Sequence, residues 1–267
     1  MKSVIKRLKG ILFALMYVAV YYGVSWLVYN IYYIWNFLSG KLSITEIEQG
    51  ARDGAYALTV IASILCLWIY MLIGKLKKEP LPQRIGNYHA PPIIYIMATS
   101  LAVGCRFLVV VYYSLSQKIE LLQKSIEKAE AISPDVGNES QILVALFSII
   151  IIAPIFEEIL FRGIVMGNLM KIMRPWAAIT LQAIIFGAAH GVLFQSIFAC
   201  AIGIILGIVY YCTQNIKVAV ACHAVFNFST ILMQSDLSTN GALIFLIAGI
   251  ALSSLSLFYI INNSKSR

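Results

Sequence analysis

Apolar runs that reach or approach the roughly 20 residues needed to cross a bilayer recur along this chain, and no other feature constrains its fold as much. They lie within residues 11–37, at about 55–74 and 92–115, from about 141 to the Glu157-Glu158 pair, from 176, and at about 196–212, 216–233 and 241–261. The reading is an all-α, polytopic integral membrane protein of about eight transmembrane helices with a helical-bundle core. Apolar content of 60% against 12% charged residues leaves no room for a separate soluble domain. One membrane domain is expected, divided as N-terminal helices and loops (1–140), a core (141–235) and a last helix and tail (236–267).

The net charge of +8 raises the question of nucleic acid, but the basic residues sit in short connections between spans. With the N-terminus inside, 14 of the 20 Lys and Arg residues fall on the cytoplasmic side and 5 outside, with Arg106 inside a span. That bias predicts both termini in the cytoplasm, a multi-pass protein of the cell (plasma) membrane, the bilayer as partner and no nucleic-acid partner. The N-terminal apolar stretch runs past Val28 without a small-x-small cleavage site, so it reads as an uncleaved first span. The five cysteines lie in apolar surroundings without CxxC spacing and read as small buried hydrophobes.

Between spans, residues 42–54 are polar and mildly acidic, and residues 75–90 form a basic, turn-rich connector. Residues 118–131 alternate charges with Ile119, Leu122 and Ile126 at helical spacing, which predicts an amphipathic surface helix. The fourth helix is expected to continue to about Met173, where Arg174-Pro175 breaks it. Gly191 marks a candidate re-entrant turn between the spans on either side of it.

Charge is expensive in hydrocarbon, by several kcal/mol, so charged groups there mark function and bring partners. Twelve uncharged residues, Ile142 to Ala153, lead directly into Pro154-Ile155-Phe156-Glu157-Glu158-Ile159-Leu160-Phe161-Arg162-Gly163. Glu158 and Arg162 are i,i+4 neighbours able to pair on one face, and Glu157 points about 100° away. Pro154 removes a backbone donor and is expected to kink the helix just before the pair. If residues 174–175 turn an antiparallel hairpin, Glu157 lies 17 residues before Arg174 and His190 lies 16 after it, which brings them to nearly the same depth. His223 and Asn227 are again i,i+4 and present donors to one side of the seventh span.

A carboxylate level with an imidazole suits water activation, with the carboxylate taking the proton as water attacks a carbonyl. A His-Asn pair across the cavity suits an oxyanion, each donor being worth roughly a hundred- to a thousandfold in rate. The blander readings are a solvated helix end for Glu157 and Glu158, a satisfied core histidine for His190, and interhelical glue for His223 with Asn227. Arg106 reads as snorkelling or structurally paired, Gly163/Gly167 and Gly203/Gly207 as small-residue packing, and His89 as surface.

Together Glu157-Glu158-Ile159-Leu160-Phe161-Arg162, Phe186-Gly187-Ala188-Ala189-His190 and His223-Ala224-Val225-Phe226-Asn227 resemble the EExxxR, FxxxH and HxxxN motifs of the CPBP (CAAX protease and bacteriocin-processing, Abi) family of intramembrane proteases. The resemblance covers about Leu143 to Met233. It implies a membrane endopeptidase in which Glu157 and His190 activate water, Glu158 and Arg162 organise the site, and His223 with Asn227 stabilises the oxyanion. The partner would be a membrane-associated peptide or protein substrate. The family name of metalloprotease makes Glu157, His190 and His223 candidate ligands for zinc or another divalent metal, although HExxH is absent and the oxyanion role needs His223 unligated. A mechanism without an obligatory metal is the favoured expectation. The competing function classes are a non-catalytic membrane scaffold or bacteriocin self-immunity protein, and a proton-relay transporter; the latter lacks a repeat of two halves.

Overall fold

A computed structural model describes residues 2–40, 42–78, 88–134, 137–233 and 239–264, and the account below concerns these residues. Among them are ten helices: α1 (Lys2–Ser39), α2 (Ile44–Asp53), α3 (Ala55–Leu76), α4 (Pro92–Ser116), α5 (Glu120–Ile132), α6 (Glu139–Met170), α7 (Pro175–Ala188), α8 (Leu193–Thr213), α9 (Ile216–Leu232) and α10 (Thr239–Asn263). Helices satisfy their backbone groups internally, which hydrocarbon requires of any spanning segment. The protein is a multi-pass, all-α membrane protein.

Six helices (α1, α3, α4, α6, α8 and α10) are long and apolar enough to cross a bilayer. The other two expected spans are shorter. With 14 residues, α7 extends about 21 Å, too little for a hydrocarbon layer of about 30 Å. With 17, α9 sits at the lower limit. Gly191, at φ +73°, follows α7, and two residues later α8 starts back along it. The expected surface helix is present as α5, where Ser125 Oγ accepts from the Phe194 N–H at the start of α8. The polar stretch before the second span is also helical: Ser43 and Glu46 form a reciprocal capping box at the start of α2.

Two large apolar clusters hold the bundle, with a smaller third one between α1 and α3. One joins α1, α3, α6, α7, α8 and α9, and includes Tyr17, Tyr70, Phe156, Leu160, Phe161 and Phe186. The other joins α4, α8, α9 and α10. Lipid tails are as apolar as leucine, so close backbone approach rather than water exclusion must drive helix association here. Glycines mark the approaches. A Cβ on Gly187 would stand 2.5 Å from Ser196 O, one on Gly203 would meet Ala183 and Phe186, and one on Gly207 would meet Gln182, so α7 and α8 lie nearly backbone to backbone. Gly104 and Gly249 do the same for α4 and α10. The packing role read for Gly203 and Gly207 is thus borne out, whereas a Cβ at Gly167 would find nothing nearer than 4.0 Å.

Arg106 is structurally paired, donating from Nη2 to Met233 O at 3.0 Å, just past the end of α9. The five cysteines are free thiols, four of them buried.

Candidate active site

The fold gathers the polar residues of the three motifs around the middle of α6. That helix is not a regular α-helix: residues 148–152 and 159–166 widen into π-type turns on either side of Ala153–Glu158. Pro154 explains the first. The Ala153 N–H reaches back five residues to Ser148 O, and in the same register Ile149 O should receive the N–H of residue 154. Proline has none. Asn227 of α9 fills the position, its Nδ2 donating to Ile149 O at 2.9 Å. The expected disturbance at Pro154 is thus a widened turn whose orphan carbonyl ties α6 to α9. Widened turns of this kind are frequent at functional sites.

One turn on, Glu157 and Glu158 part company. Glu158 is fully buried and accepts from Arg162 Nη1 at 2.8 Å, the i,i+4 pair expected from the sequence. Arg162, also fully buried, donates from Nη2 to Gly203 O at 3.3 Å, a carbonyl that also receives Gln182 Nε2 at 2.9 Å. Its guanidinium lies 4.7 Å from the Phe186 ring centroid. Glu157 keeps 26% of its side chain exposed and is the carboxylate that a substrate or water can reach.

His223 bridges the two. Its Nδ1 stands 2.8 Å from Glu158 Oε1 and its Nε2 stands 3.7 Å from Glu157 Oε2. Because a carboxylate only accepts, Nδ1 carries a proton. His223 enters at this depth because α9 starts sharply: Gln214 turns the chain at φ +48°, and Asn215 caps the helix by accepting from the Lys217 N–H.

His190 arrives from α7, at the hairpin turn. The α6–α7 pairing puts Phe161 against Phe186, ring centroids 4.9 Å apart, which fits an antiparallel turn at residues 174–175. Phe186 in turn sets both imidazoles edge-on to its ring, at 4.9 Å for His190 and 6.0 Å for His223. His190 Nδ1 lies 2.9 Å from Phe186 O, so it is the protonated nitrogen and a neutral ring keeps its Nε2 lone pair free.

Sequence reading missed the contribution of α1 and of Gln182. Tyr22 donates its hydroxyl to Ala189 O at 2.8 Å, pinning the residue before His190, and the Tyr21 ring lies 4.8 Å from that of Phe156, the residue before Glu157. Tyrosines in a first span read as interfacial anchors, and no local pattern separates these two from the rest.

The candidate metal ligands do not assemble. Among the described residues no three His, Cys, Asp or Glu side chains are grouped closely enough to hold one ion. Glu157 and His223 are neighbours, with His223 Nε2 3.7 Å from Glu157 Oε2, but His190 does not join them in such a group. The three side chains as folded do not form a His₂Glu metal centre.

A buried ion-pair network thus lies beside one reachable carboxylate and two oriented imidazoles, inside a helical membrane bundle. In the comparison with known proteins, residues 139–229, which hold all three motifs, match the family model "Type II CAAX prenyl endopeptidase Rce1-like", which bears out the resemblance. The chain is also 27% identical over 179 residues, 67% of its length and 71% of the relative's, to the Bacillus subtilis (strain 168) protein named "Putative membrane peptidase YdiL". Both support a membrane protease in general. No solved structure matches.

Proposed function

We propose that the protein is an intramembrane endopeptidase that hydrolyses a peptide bond of a membrane-associated peptide or protein by a water activated at Glu157 and His190. The observation that carries this reading is the division of labour between the adjacent carboxylates: Glu158 is sealed at 0% exposure on Arg162 and His223, and Glu157 alone is accessible. Glu157 accepts the water proton as the oxygen attacks the scissile carbonyl carbon, and the free Nε2 of His190 orients that water. The carbonyl π electrons move to oxygen. His223 supports that oxyanion as an imidazolium, with Nδ1–H on Glu158 and Nε2–H toward the substrate. Asn227 has a second Nδ2 proton beyond the one given to Ile149 O, and donates it to the same oxygen. Collapse of the tetrahedral intermediate breaks the C–N bond, and the proton held by Glu157 passes to the leaving amine. Glu158 and Arg162 are positioning residues that fix the His223 ring.

The proposed orientation has both termini on the cytoplasmic side of the plasma membrane, supported by the excess of basic residues on that side.

The test compares wild type, Glu157→Gln and His190→Ala for cleavage of candidate substrate peptides in liposomes, with helicity and insertion followed in parallel. Loss of cleavage in both folded variants is expected. Unchanged cleavage in folded Glu157→Gln protein refutes the assignment, and a cellular phenotype that survives this substitution favours a binding scaffold instead.

A further inference from the structure

Arg106 is the single charged residue of α4, 14 positions after Pro92 and 10 before Ser116, so its charge starts near the middle of a spanning helix. A guanidinium at that depth is expensive, and such a residue marks a task and has a partner that can be named. The partner lies on α9: Arg106 Nη2 donates to Met233 O at 3.0 Å, the carbonyl just past the last turn of that helix. The chemistry proposed above makes no use of Arg106.

The helix it holds is the one that carries His223 and Asn227, and α4 grips that helix at both ends. At the start of α9, Asn215 Nδ2 donates to Tyr88 O at 2.7 Å, just ahead of α4, and to the Tyr95 hydroxyl in its first turn at 3.4 Å. At the far end stands the Arg106 bond. Between the two, Cys105 and Val109 of α4 share an apolar cluster with Val218, Cys222 and Phe226 of α9.

Rotation is what these ties fix. Cys222 and Phe226 are buried in that cluster, and His223 and Asn227 are the next residues along, about 100° around the helix. The rotation that buries the first pair against α4 is therefore the one that aims His223 at Glu158 and Asn227 at Ile149 O. Apolar packing in lipid tolerates a small roll or slide of a 17-residue helix, whereas a hydrogen bond from a charged donor has a defined length and direction. We infer that Arg106 is a positioning residue for the hydrolysis proposed above: by holding Met233 O it fixes the rotation and depth of α9, and so places the His223 and Asn227 donors at the substrate oxyanion. The inference rests on that reading of the site, and Arg106 acts through α9 rather than on the reacting atoms.

One experiment on the whole chain in liposomes reads the grip on α9 and the chemistry separately. Hydrogen–deuterium exchange with mass spectrometry follows peptides of α9, and kcat and KM are measured on a peptide that wild type cleaves. R106Q is expected to speed exchange over residues 224–232 by about threefold or more, with α6 and α7 unchanged. It is expected to lower kcat by about tenfold or more and to leave KM within about twofold. R106K, which keeps the charge and a donor, should recover most of both. In the N227A background the further kcat loss from R106Q should shrink to about threefold, because one of the two donors that Arg106 places is already gone. Folded R106Q protein with wild-type exchange or wild-type kcat overturns the inference, and so does a kcat loss undiminished by N227A. If thermal unfolding shows that R106Q does not fold, N215S carries the test. That variant keeps a capping oxygen and loses the Nδ2 donor to Tyr88 O; the same pattern is expected, and wild-type behaviour overturns the inference. Should wild type cleave no peptide, the hydrolytic reading fails on its own, and the exchange data alone decide whether Arg106 holds α9.

Discussion

At the scale of single residues, the site depends on buried charge that is paired through one carboxylate oxygen, Glu158 Oε1, which meets both Arg162 and His223. Glu158 and Arg162 have been taken wholly out of solvent, and removing one partner leaves the other as an uncompensated charge, which typically costs about 3–5 kcal/mol. Arg162→Ala is therefore expected to destabilise the protein by that order, measured by reversible unfolding in mixed micelles. Replacing both together, as E158L/R162M, should restore much of the stability without restoring cleavage, because His223 then lacks the acceptor for its Nδ1 proton. Cleavage by that double variant would show that the pair only supports the fold. Asn227 allows a finer dissection. Its bond to Ile149 O exists because Pro154 cannot supply a donor, and interhelical bonds in membranes contribute about 1–2 kcal/mol at most. In the P154A background residue 154 regains its N–H, so the stability cost of N227A should shrink. The rate cost of N227A should persist there if Asn227 also meets the oxyanion. A double-mutant cycle on stability and cleavage separates the two roles.

At the scale of helices, the α7–α8 hairpin decides where His190 stands. It turns at Gly191 and closes through Gly187, Gly203 and Gly207, where α7 and α8 nearly touch. Gly187→Leu is expected to force the helices apart, lower thermal stability by several degrees and reduce cleavage at least tenfold, since Phe186 and His190 move with the backbone. Gly167→Ala, with nothing within 4.0 Å but one carbonyl, should leave both readouts close to wild type. If Gly187→Leu behaves like Gly167→Ala, the hairpin does not set the site. The sequence pattern implied the α6–α7 pairing, in which Phe161 and Phe186, 13 residues before and 12 after Arg174, meet because helical rise is constant. It did not give the short length of α7, because apolar composition alone does not distinguish a crossing helix from one that turns back inside the bundle. The π-type turns of α6 were also not legible beyond a disturbance at Pro154, since they depend on what the neighbouring helix offers the freed carbonyl.

At the scale of the molecule, the basic ends of α1, α3 and α6 surround one pocket, so they share one side of the bundle. This agrees with the topology in which both termini are cytoplasmic. A fluorescent protein fused at the C-terminus is expected to fold and fluoresce, and alkaline phosphatase at the same position to stay inactive; active phosphatase there would invert the orientation. Composition and run length by themselves determined that the chain is a multi-pass helical membrane protein, because the span needed to cross hydrocarbon and the cost of charge within it are properties of the solvent and not of the fold. Motif spacing likewise determined that Glu158 would pair with Arg162, since i,i+4 proximity is fixed by the helix itself. Only the tertiary structure decided which carboxylate is sealed and which is open. It also decided that His223 contacts both, that α1 supplies tyrosines to the site, and that the three candidate metal ligands are not drawn together. Those outcomes depend on how far and at what rotation separate helices approach. Glycine contacts, a missing proline N–H and side-chain packing set that approach between residues tens of positions apart, and no local pattern in the sequence records it.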